Sequence, residues 1–172
     1  MDNSCPKYNI NEIFSSYNPK KPEAFARIKG GKLAPCIDGN VFFYQLKGGV
    51  YVRAFITGIP ETNMNGEVAR FHGFHIHENG DCSVGVATNP FPNTGEHYNP
   101  SNSDHPFHAG DLPPILNSDG IGILSFYTSY FTVSEIINKS IVLHDGYDDF
   151  TSQPAGNSGF KIACGRIIPY NY

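Results

Sequence analysis

Apolar and polar positions begin to alternate at Ala24, and short runs of this kind recur to the end of the chain. Ala24-Phe25-Ala26-Arg27-Ile28-Lys29 has a period of two and stops at Gly30-Gly31, as a strand with one buried face does. Val41 to Leu46 is a second apolar run, and Val50 to Ile56 alternates again. The Lys47-Gly48-Gly49 turn between them predicts a hairpin. Glu67 to Glu78 reads as a fourth strand, and Gly122 to Tyr127, Ser140 to His144 and Phe160 to Ile168 follow. Short strands divided by turn clusters predict an all-β sandwich or flattened barrel.

Two stretches break the pattern. Residues 79–114 are rich in Gly, Pro, Asn, Ser and Asp and keep no period. A loop of that length is uncommon in a compact domain unless it has a function or is tied down. Asp145 to Gly159 is a second turn-rich stretch. Residues 1–22 read as a polar arm, with a weak apolar run at Ile10 to Tyr17 and a short helix at Asn11 to Ser16; residues 23–172 form the domain.

Composition narrows the classes. At 172 residues and 40% hydrophobic, the chain supports one domain with a real core. A net charge of −4 leaves no basic footprint, so no nucleic acid is expected as a partner. No apolar run reaches membrane-spanning length, so no membrane is expected either. The start at Met1 and the lack of a signal-like apolar stretch favour the cytoplasm, with an extracellular or surface-associated setting left open. Cys5, Cys36, Cys82 and Cys164 form no CxxC pair, which argues against a cysteine zinc site. Cys5 and Cys36 are either separate thiols or a disulfide pinning the arm, and sequence does not choose between these.

The candidate chemistry is in the histidines. Six of seven, with one aspartate, fall as His75-x-His77, His97, His105-x-x-His108-x-x-Asp111 and His144. Neutral imidazole is the commonest transition-metal ligand near pH 7. It suits zinc, copper, iron and nickel; an all-nitrogen set suits copper, and a three-histidine, one-aspartate set suits tetrahedral zinc. His75 and His77 are two apart on a strand and share a face, whereas His72 has the opposite parity and reads as a structural histidine. Pro106 and Gly110 place His105, His108 and Asp111 on a loop that can wrap one ion.

Gly73-Phe74-His75-Ile76-His77-Glu78, Gly95-Glu96-His97-Tyr98-Asn99-Pro100, His108-Ala109-Gly110-Asp111-Leu112 and Asn157-Ser158-Gly159-Phe160-Lys161-Ile162-Ala163-Cys164-Gly165 together resemble the copper/zinc superoxide dismutase family, over roughly Glu23 to Ile168. The resemblance implies that family's fold, a Greek-key immunoglobulin-like sandwich or flattened eight-stranded barrel with long metal-binding and active-site loops. It implies copper at His75, His77, His97 and His144, and zinc at His97, His105, His108 and Asp111, with His97 bridging as an imidazolate. Asp148 matches an aspartate linking copper and zinc histidines, and Cys82 and Cys164 match the family's disulfide.

The implied reaction is dismutation of superoxide anion to dioxygen and hydrogen peroxide, with His97 taking up and releasing a proton. Lys161 stands where the family usually has arginine, keeping the charge but losing the rigid fork. Family analogy adds a homodimer and a copper chaperone as further partners. Two other classes compete: a non-enzymatic zinc-binding or copper-handling protein on the same fold, and a zinc hydrolase, which needs an open zinc position.

Overall fold

In the computed structural model, which describes residues 15–19 and 21–170, the apolar parity of each run becomes the inner face of a strand. Strand β1 (Ala24–Gly30) turns Ala24, Ala26 and Ile28 into the core. Strand β2 (Asp38–Leu46) adds Val41 and Phe43, and β3 (Gly49–Thr57) adds Val50, Val52, Ala54 and Ile56. The predicted hairpin joins β2 to β3, with Leu46 opposite Gly49 and Gly48 at φ +78°. Only glycine takes that angle without strain.

The predicted strand from Glu67 to Glu78 is instead two strands, β4 (Phe71–His72) and β5 (Phe74–His77), split at Gly73. Two further pairs of residues make a small hairpin in the long loop, β6 (Gly85–Val86) and β7 (Asn89–Pro90), followed by a 3-10 turn at Pro92–Thr94. Strand β8 (Ile115–Ser118) went unpredicted, because Pro113-Pro114 precedes it and it is only four residues long. Strands β9 (Ile121–Thr128) and β10 (Ser140–His144) follow the sequence reading closely. The last run divides at Ile167 into β11 (Lys161–Arg166) and β12 (Ile168–Pro169). A single helical turn, α1 (Val133–Ile136), starts with a capping box in which Thr132 and Glu135 bond reciprocally.

The main sheet has ten strands in the order β4-β8-β9-β3-β2-β1-β11-β10-β5, with β12 beside β1. Its two ends, β4 and β5, are consecutive in the chain, so the sheet curls until its edges meet at Gly73. This is the expected all-β, nearly closed barrel; the runs divided at Gly73 and Ile167 account for ten segments where eight strands were expected. Gly73 is required there, because a Cβ would meet the Ser158 Oγ at 2.7 Å and His75 Cε1 at 3.0 Å. Phe43, Phe74, Ile28, Ile56, Ile76, Ile115, Ile141 and Ile162 fill the barrel and are fully buried. Each such side chain stabilises the fold by roughly 1.5–3 kcal/mol.

Cys82 and Cys164 form a disulfide, as the resemblance implied, and it ties the long loop to β11. Cys164 joins Phe91 and Val142 in a small second apolar cluster, with Cys82 packed against it. Cys36 is an exposed free cysteine; Cys5, and most of the short helix expected at Asn11 to Ser16, lie outside the described residues. No helix among the described residues is long and apolar enough to cross a membrane. Opening the 82-residue separation between Cys82 and Cys164 with Cys82→Ser and Cys164→Ser is expected to cost roughly 4 kcal/mol, read as a lowered midpoint in chemical denaturation.

Candidate metal centre

All four residues of β5 are buried. Phe74 and Ile76 point into the core, and His75 and His77, on the other parity, face the loops. One edge of β5 pairs with β10, with Ser140 opposite His77 and Val142 opposite His75. The other edge is taken by loop backbone. Glu78 N–H donates to Glu96 O at 3.0 Å, Ile76 N–H to Gly110 O at 2.9 Å, and Tyr98 N–H to Ile76 O at 2.8 Å. These bonds set His97 opposite His77 and Asp111 opposite His75. Gly110 cannot be larger, because its Cβ would press on the Ile76 carbonyl and lie 2.9 Å from Tyr98 N. His144 arrives from the end of β10, where an irregularity in the pairing with β11 falls between Leu143 and His144.

Two groups of side chains result. His75, His77, His97 and His144 bring one ring nitrogen each within 4.8 Å of the others. His97, His105, His108 and Asp111 form a second group by the same measure. His97 is common to both. Its Nδ1 is 2.7 Å from Asp111 Oδ1, and its Nε2 is buried with no hydrogen-bond partner. His75 Nδ1, His105 Nδ1 and His108 Nδ1 are likewise buried without a hydrogen-bond partner. His105 Nδ1 and His108 Nδ1 lie 3.0 and 3.2 Å from Asp111 Oδ2, yet without hydrogen-bond geometry. His77 Nε2 and His144 Nε2 face each other at 3.4 Å. Buried polar atoms are almost always satisfied, so a cluster of bare imidazole nitrogens fits bound metal ions.

The remaining ring nitrogens are held by the protein. His77 Nδ1 bonds Gly95 O at 2.9 Å, and His144 Nδ1 bonds Gly159 O at 3.2 Å. Asp148 bonds His75 Nε2 at 2.8 Å through one oxygen and His105 Nε2 at 2.9 Å through the other. It therefore links the two groups. His72 belongs to neither group; its Nδ1 bonds His144 O at 2.8 Å. Lys161 stands opposite His144 in the pairing of β10 with β11, and its ammonium reaches Thr94 and Gly95.

Other supports carried no sequence signal. Gln153 clamps His105 through both amide atoms, accepting from its N–H at 3.0 Å and donating to its carbonyl at 2.7 Å. The Asp145 carboxylate accepts from the N–H groups of Phe160 at 2.6 Å and Met64 at 3.0 Å. Gly95 and Gly159 act through backbone carbonyls, which any residue type possesses.

Burial sets the protonation of His75, His77 and His144. It pushes His75 down to about 4, against the pull of Asp148, and His77 and His144 well below the usual imidazole range. All three are neutral near pH 7 with lone pairs available. Burial works to raise Asp111 and Asp148, but hydrogen bonds from His97 and His75 respectively, with further donors, outweigh it and keep both ionised. Burial also lowers Lys161, opposed by the Glu96 charge.

A nearly closed antiparallel barrel carries two histidine-rich groups that share one imidazole, each able to hold a metal ion. The sequence profile of copper/zinc superoxide dismutase (SODC) matches residues 37–167. A copper–zinc superoxide dismutase of Deinococcus radiodurans is 39% identical over 117 residues, 58% of this chain and 64% of that protein, so the match spans less than two thirds of that relative. An extracellular copper–zinc superoxide dismutase of Drosophila melanogaster is 36% identical over 149 residues, 76% of this chain and 75% of that protein. A putative copper–zinc superoxide dismutase of Autographa californica nuclear polyhedrosis virus is 29% identical over 150 residues, 76% of this chain and 91% of that protein. The chain belongs to the copper/zinc superoxide dismutase family. Membership carries the enzyme class, superoxide dismutase, and the cofactor pair, copper and zinc.

Gly156 sits at φ +64° against the Asp148 bridge, and an added Cβ would collide with Asp148 Oδ1 and lie 2.7 Å from His105 Nε2. Gly156→Ala is expected to destabilise by about 2 kcal/mol and weaken zinc retention, checked by denaturation and chelator competition. The depressed histidines also set a pH dependence for the metal-free protein. The unfolded chain binds protons first, so stability is full above about 6.5 and falls as the pH drops toward about 4. Denaturation midpoints of chelator-treated protein between pH 7 and 4 check this; a flat profile would contradict it.

Proposed function

We propose that the chain dismutes superoxide with copper held by His75, His77, His97 and His144, and zinc held by His97, His105, His108 and Asp111. The observation that carries this reading is the placement of His97. Its Nδ1 lies at Asp111, its buried Nε2 has no hydrogen-bond partner, and it is the one residue common to both groups. One imidazole is thus in position to serve two ions. Four donors in the group around Asp111 would complete a tetrahedral zinc site, which disfavours the open position that a zinc hydrolase needs. The all-histidine group is complete, which favours the enzyme over a member that only binds zinc or handles copper.

When bound, copper supplies the redox couple that accepts an electron from one superoxide and returns it to a second, while zinc supplies charge and fixed geometry. The balance is two superoxide anions and two protons to one dioxygen and one hydrogen peroxide. His97 holds one of those protons at Nε2 between the two halves and gives it up in the second. Asp148 fixes the rings of His75 and His105, so the site keeps its shape as charge comes and goes. Lys161 draws the substrate anion in; the half-buried ammonium is a stronger attractor than a fully solvated one.

Metal analysis of loaded protein, with dismutation assayed on the same sample, tests the reading. One copper and one zinc per chain, with activity lost on copper removal, is the expected result; zinc alone, or bound copper without dismutation, would overturn it. Lys161→Arg is expected to raise the rate about two- to fivefold at low ionic strength, with a smaller gain at high salt, because the guanidinium fork presents its donors in a fixed geometry. An unchanged rate at both ionic strengths would show that the guanidinium fork adds nothing to the charge Lys161 already supplies.

A further inference from the structure

We propose that Thr94 is a positioning residue for Lys161, and that it supplies the rigidity a lysine lacks at this place. The inference rests on the reading of Lys161 as the group that attracts the anion. Lys161 Nζ donates to Thr94 Oγ1 at 2.8 Å and to Gly95 O at 3.1 Å. Gly95 O also accepts from His77 Nδ1 at 2.9 Å, so the ammonium and a ring of the all-histidine group are fixed to one carbonyl.

Thr94 is itself immobile. It is fully buried at the end of the 3-10 turn, and its carbonyl accepts from Asn79 N–H at 2.9 Å. Its hydroxyl donates its single proton to Phe91 O at 3.0 Å. A hydroxyl whose proton is committed can only accept, so its lone pairs are directed to Lys161. An ammonium has three donors. Two are spent on fixed acceptors, and the third is directed by them.

A free lysine stem samples many rotamers, whereas a guanidinium is planar and preorganised. Anchoring at Thr94 and Gly95 removes that freedom at the lysine tip. Thr94 carries no charge and no recognisable motif, and only its place beside Lys161 gives it this role.

The test is azide binding to copper- and zinc-loaded protein, followed by optical titration. Thr94→Val keeps the shape and removes the acceptor, and is expected to weaken azide about fivefold, the order of one net hydrogen bond. Thr94→Ser restores the acceptor and should bind as wild type. In a Lys161→Ala background, Thr94→Val should add nothing. Unchanged azide affinity in Thr94→Val, or an equal loss with and without Lys161, would overturn the inference. Unchanged affinity in Lys161→Ala alone would instead overturn the role of Lys161 on which it rests. Should Thr94→Val fold poorly, exchange of the Lys161 ammonium protons in Thr94→Ser and wild type decides by NMR. Protection in both is expected, and rapid exchange in wild type would show that the anchor does not hold.

Discussion

Every strand carries backbone donors and acceptors along both edges, and β5 has a regular strand on only one side. The need to satisfy its second edge organises the metal centre. Residues 94–98 and Gly110 are drawn against Ile76 and Glu78, and the side chains on that backbone come with them. His97 is placed over His77 and Asp111 over His75 by main-chain hydrogen bonding, before any ion is considered. Gly73, where the sheet's two ends meet, and Gly110, where backbone crosses backbone, are small because larger residues would obstruct this docking.

The side-chain network then meets a different demand. Seven polar side chains are gathered where water is excluded, and each would be costly if left unpaired. Asp148 spends both oxygens on the outer nitrogens of His75 and His105, and carbonyls of Gly95 and Gly159 take those of His77 and His144. What is left bare is one nitrogen each of His75, His97, His105 and His108, while His77 Nε2 and His144 Nε2 face each other. The outer contacts choose which nitrogen can bind metal, and burial keeps the rings of His75, His77 and His144 neutral.

The strand pattern was legible because each inward face is apolar without interruption, as in Ala24, Ala26 and Ile28. The two candidate metal groups were legible because histidine is scarce and its spacings are distinctive. Strand β8 was hidden by brevity and by the prolines before it, and the division at Gly73 by continuous apolar residues on both sides. The supports from Gln153, Asp145 and the carbonyls of Gly95 and Gly159 left no mark in the sequence. They depend on chain crossings between residues tens of positions apart, and such crossings exist only after folding. The T-x-x-E of α1, by contrast, was present to be read and was passed over in favour of the strands around it.

The segment that carries His97, His105, His108 and Asp111 also shields the open edge of β5. In an antiparallel sheet such an edge is a template for another chain, and proteins commonly blunt it with charge, proline or a covering loop. Here β5 has no charged residue, and its protection is the loop alone. Anything that loosens residues 94–111 therefore uncovers the backbone groups of Ile76 and Glu78 as well as the histidines. The same loop backbone thus serves two ends, covering an edge that would otherwise be open for pairing and placing the side chains of the candidate metal site.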